Sequence, residues 1–78
     1  MPQPIWLVRP RPDGGCDYVS FVTAQPGSAA TVEMCEGSHL PPQMPLLKRR
    51  HRLRPEEAER CRQQLQQSGG YRCSEPLF

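Results

Sequence analysis

The sequence predicts a small α+β fold: an antiparallel β-meander packed against one C-terminal helix, with a final short strand. Three observations carry this reading. Short runs of β-branched and aromatic residues fill the first half, each closed by Gly or Pro. Pro55-Glu56-Glu57-Ala58-Glu59 opens a helical stretch that stops at Gly69-Gly70. The 78 residues suffice for one domain only. A core this small leaves a net stability of roughly 3–5 kcal/mol.

The elements follow in order. Ile5-Trp6-Leu7-Val8 is an apolar run that reads as a strand stopped by the prolines of Arg9-Pro10-Arg11-Pro12. Asp13-Gly14-Gly15 is a turn signal, because glycine takes φ > 0 at no steric cost. Asp17 to Ala24 is a second strand, with Val19, Phe21 and Thr23 on one face and Tyr18, Ser20 and Val22 on the other. Gln25-Pro26-Gly27-Ser28 suits a type II turn. Ala30 to Glu36 is a weaker strand with Val32 and Met34 on one face. Residues 37–45 hold a Gly-Ser pair and three prolines, and are expected to form a flexible loop. The ten prolines of the chain favour extended segments and turns over long helices.

From Pro45 to Leu53 the chain is expected to be extended. As a strand it places Lys48, Arg50, Arg52 and Arg54 on one face, about 6.6 Å apart, and Leu47, Arg49, His51 and Leu53 on the other. The helix then runs from Pro55 to about Ser68. Pro55 fits the first helical position. Glu56, Glu57 and Glu59 sit where the macrodipole favours anions, with Arg60 and Arg62 at pairing distance. The apolar stripe is narrow: Ala58, Cys61 and Leu65. Tyr71 to Ser74 reads as the last strand, returning beside the meander. Trp6 is expected in the core, with an exposed interface anchor as the alternative.

Charge is the one property concentrated enough to suggest a partner. Lys48-Arg49-Arg50-His51-Arg52-Leu53-Arg54 holds half of the ten cationic side chains, while the net charge is only +2. The rest of the chain is therefore net acidic, unlike a uniformly basic nucleic-acid binder. Two roles are open for the run. It is a solvated edge strand, charged against aggregation and paired by the glutamates that follow, or it is a partner surface.

The second half resembles a family of short uncharacterised proteins from marine cyanobacteria, a domain-of-unknown-function family. The residues that carry the resemblance are Leu46-Leu47-Lys48, Arg50, Leu53, Glu56-Glu57-Ala58, Leu65, Gly70-Tyr71 and Glu75-Pro76, with Trp6-Leu7-Val8 near the start. Family members tend to carry Leu-Trp in the helix and Gly-Trp after it, where Cys61-Arg62 and Gly70-Tyr71 stand here. The resemblance implies a fold unit and a host lineage, and no activity. A looser likeness, to the small linker domains of phycobilisomes, rests on the Arg-containing helix and Gly69-Gly70.

The expected function is that of a non-enzymatic interaction or accessory protein. Lys48, Arg49, Arg50, Arg52 and Arg54 would bind an acidic protein surface. Nucleic acid is the alternative partner for the same side chains. No aromatic residue lies between Phe21 and Tyr71, so the aromatic interleaving of single-strand binders is missing. A Cys-based metal or redox module is a further alternative. Cys16, Cys35, Cys61 and Cys73 are 19, 26 and 12 residues apart, without the close pairs of zinc sites. Cys61 and Cys73 are expected in the core, within possible contact of each other, and Cys16 as an exposed thiol and the most reactive one. No phosphate loop or nucleophile–base–orienter set is spelled out, so no enzyme, metal or cofactor is expected. No apolar stretch reaches membrane-spanning length, and the N-terminus lacks the regions of a secretory signal. A cytoplasmic protein with reduced cysteines is the expectation.

Overall fold

The computed structural model describes residues 4–23 and 31–75. It contains β1 (Ile5–Pro10), β2 (Cys16–Thr23), β3 (Val32–His39), β4 (Leu46–Leu53), α1 (Pro55–Ser68) and β5 (Arg72–Ser74). The strands form one antiparallel sheet in the order β4-β3-β2-β1-β5. The α+β meander read from the sequence is the fold. The expected type II turn at Gln25–Ser28, and the strand ends at Ala24 and Ala30, lie outside the described residues.

β1 and β2 meet through the Asp13 turn. Asp13 Oδ1 accepts the Gly15 N–H at 2.9 Å, and Gly14 takes φ +90°. That bond and Arg11 hold the Asp13 carboxyl below the usual carboxylate range. β1 does not stop at Val8. Arg9 and Pro10 continue the ladder, with Pro10 opposite Cys16. A proline at a strand's last residue interrupts little of the pairing.

The expected loop 37–45 is corrected at its start. Gly37, Ser38 and His39 belong to β3, paired with Tyr18, Asp17 and Cys16. The Tyr18 ring lies over Gly37, where a Cβ would meet its hydroxyl at 2.6 Å. The connection to β4 shortens to Leu40–Pro45 and includes a cis Pro41–Pro42 bond.

α1 follows the edge strand β4 and precedes the opposite edge strand β5, so it traverses the sheet. Five strands span about 19 Å, and the 14 residues of α1 reach about 21 Å. Arg54 caps its start in an extended conformation, as the residue before a proline prefers. The Arg54 N–H donates to Glu57 Oε1 at 3.3 Å, and its carbonyl accepts the Ala58 N–H at 2.9 Å. A guanidinium has no acceptor, so only this half of a capping box forms. At the other end the Leu65 carbonyl accepts the N–H groups of Gly69 and Tyr71. Gly70, at φ +76°, turns the chain into β5.

Directly opposed residues share a sheet face. On the face under α1 lie Leu7, Val19, Phe21, Val32 and Met34, covered by Ala58 and flanked by Leu53, Cys61, Leu65 and Tyr71. The opposite face carries the row Ser74, Trp6, Ser20, Cys35 and Arg50. Trp6 is buried there, its ring centroid 5.6 Å from that of Tyr18. Among the described residues no helix is long and apolar enough to cross a membrane.

Candidate functional site: a basic edge strand

β4 ends the sheet, and every residue from Leu46 to Arg52 is exposed. Its ladder with β3 pairs Leu53, Arg52, His51, Arg50 and Arg49 with Val32, Glu33, Met34, Cys35 and Glu36. Then the register shifts: Gly37 pairs with Leu47, and Lys48 becomes the extra residue of a β-bulge.

The expected alternation holds from Arg49 to Leu53, and the bulge corrects it at Leu47 and Lys48. Arg50 and Arg52 lie on the face away from α1. Lys48 and Arg49 instead line one groove, and Arg54 has left the strand to cap the helix. Leu47 lies on the face away from α1, and Leu53 on the core face. Leu47 and Leu53, expected on one face, are thus split across the sheet.

The expected pairing with the helix glutamates is also corrected. Glu59 bonds to Arg62 and Gln63, and the Arg62 contact holds its carboxyl below the usual range. Glu57 serves the helix start. Inside the run, Arg50 Nε meets Glu33 Oε1 at 3.0 Å, from β3 rather than from α1. Lys48, Arg49, Arg52 and Arg54 make no ion pair among the described residues. The strand places its neighbours sideways, so glutamates further along the chain are poorly placed to reach these cations.

The groove beside Lys48 and Arg49 has a volume of about 270 Å³ and is also lined by Arg9, Asp17, Glu36 and Tyr71. Sequence reasoning missed the last four as a set. Arg9 is committed to the fold: it donates to Asp17 Oδ2 at 2.8 Å and to the Gly69 carbonyl at 3.0 Å, and lies 4.8 Å from the Tyr71 ring centre. Asp17 first, and then Tyr71, raise its already high pKa. The signal was present in the hairpin, because Arg9 and Asp17 face each other across it. Glu36 needed the β3 register to be placed.

Burial raises the pKa of both tyrosines above the ordinary 10.0; at Tyr71, Asp17 and Glu36 add to the effect and Arg9 opposes it. The folded state therefore holds these protons more tightly than the unfolded chain. The stability so gained is complete below the unfolded tyrosine pKa and is lost as pH rises through the folded values. A tyrosinate absorbance titration should give midpoints above the ordinary value for both groups, and Tyr71→Phe should remove one step.

All four cysteines are thiols. Cys73 is exposed and accepts a hydrogen bond from Gln66 Nε2 at 2.9 Å, while Cys16 is half-buried. This reverses the expected order of exposure, because the last strand is a sheet edge and leaves its side chains little cover. Among the described residues no three His, Cys, Asp or Glu side chains gather as a metal ion would require. No family model, curated protein or solved structure matches the chain.

Proposed function

We propose that this chain is a small non-enzymatic interaction protein whose basic edge strand binds an acidic protein surface. The observation that carries the reading is the exposure of Lys48, Arg49 and Arg52, three cations of an edge strand that make no ion pair among the described residues. Charges arranged in this way speed and orient association with a surface of opposite sign. Nucleic acid competes for the same side chains. The aromatics Trp6 and Tyr18 on the adjoining face are 9% and 3% exposed, which offers bases no stacking platform and favours protein. The four thiols favour a reducing compartment, the cytoplasm.

Neutralising Arg50→Gln and Arg52→Gln together should weaken capture of the acidic partner by at least about tenfold, a loss of about 1.4 kcal/mol or more. The melting temperature should move by no more than a few degrees, because an exposed ion pair contributes only about 0–1 kcal/mol. Affinity pull-down from the host, with melting followed by circular dichroism, checks both. Unchanged capture would sink the proposal, as would RNA or DNA gel shifts at moderate salt that vanish in the same variant.

A further inference from the structure

Resting on that reading, we infer that β4 receives an extended acidic segment of the partner as a sixth strand of the sheet. An edge strand presents a row of backbone N–H and C=O groups to any chain that can lie beside it. β4 has eight residues, whereas the opposite edge, β5, has three. The register with β3 is continuous from Arg49 to Leu53 and breaks at Lys48. The bulge therefore limits the added strand to about five residues of regular pairing.

The side chains specify what that strand carries. Arg50 and Arg52 lie on one face, two residues apart, about 6.8 Å along the strand. Arg50 meets Glu33 through Nε, which leaves its terminal nitrogens for a second carboxylate. Arg52 stands directly across from Glu33 without an ion pair. Acidic residues at alternate positions of the incoming strand would lie opposite both. Beyond the bulge, Met44, Leu46 and Leu47 are 88%, 57% and 43% exposed and suit an apolar residue at the end of the segment. A second copy of this chain is a poor occupant: pairing β4 with β4 sets cations beside cations at about 4.5–5.5 Å.

The test uses the whole protein and a labelled peptide of about ten residues, alternating Glu with Val and ending in Leu. Two further peptides carry backbone N-methyl groups on alternate residues, one for each strand edge. Strand addition predicts that one methylated peptide loses affinity by at least about tenfold while the other binds as the parent does. It also predicts that the parent slows hydrogen exchange at β4 amides. If all three bind equally and lose affinity with Arg50→Gln and Arg52→Gln, strand addition is overturned and the acidic-surface reading stands. If none binds, whether or not an RNA oligonucleotide does, the reading beneath it is overturned as well.

Discussion

Gly37→Ala is expected to lower the melting temperature by about 10–20 °C. A Cβ at this position would collide with the Leu46 carbonyl oxygen and sit 2.6 Å from the Tyr18 hydroxyl and 2.7 Å from Tyr18 Cζ. A ring shift relieves the two tyrosine atoms, but the carbonyl belongs to β4, where Leu46 pairs with Ser38 and Leu47 with Gly37 itself. Overpacking of this kind costs about 2–3 kcal/mol, and each kcal/mol moves the midpoint by about 4–8 °C in a domain of this size. Gly14→Ala is the control. That position has open space but φ +90°, so only backbone strain, about 1 kcal/mol, applies there. Thermal melts followed by circular dichroism should rank the Gly37 variant well below the Gly14 variant. Equal melting would mean that the Tyr18 ring and β4 do not close over Gly37.

The same glycine shows where the sequence was legible and where it was not. Local signals were sufficient for the helix, because Pro55 and Gly69-Gly70 mark its ends by backbone chemistry alone. They were sufficient for β2, where Val19 and Phe21 alternate with Tyr18 and Ser20. Gly37, Ser38 and His39 have low strand propensity and read as loop. They are strand because Tyr18 on β2 needs a residue without a side chain opposite it, which only the tertiary pairing reveals. The site suffered from the same gap. The identity of the five cations and their place on one extended segment were legible. The opposite faces of Arg49 and of Arg50 with Arg52 were legible too, whereas the displacement of Leu47 and Lys48 was not, because the extra residue at Lys48 exists only relative to β3. Glu33, the carboxylate that forms the ion pair with Arg50, lies 17 positions before it and became visible only through the register.

Leu7→Ala is expected to bring the domain to the edge of unfolding at room temperature. Leu7 is fully buried, between Val19 and Cys73 in the sheet and in one cluster with Ala58. Truncating such a leucine costs about 2–5 kcal/mol, against a net stability of roughly 3–5 kcal/mol for a core this small. Ile5 shares the same strand and face but is 40% exposed, so Ile5→Ala should cost far less, about 1 kcal/mol. Urea titration would separate them: a midpoint close to zero for the Leu7 variant and a modest shift for the Ile5 variant. Similar midpoints would mean that α1 is not seated over the centre of the sheet. The consequence reaches the edge strand, because α1 begins two residues after Leu53 and Arg54 is shared between strand exit and helix cap. Loss of the core therefore removes the ordered β4 on which the proposed binding of an acidic partner depends. The Leu7 variant should lose binding in step with its melting, whereas Arg50→Gln with Arg52→Gln should lose binding while the fold stays intact. That contrast would assign the basic run to recognition rather than to holding the sheet together.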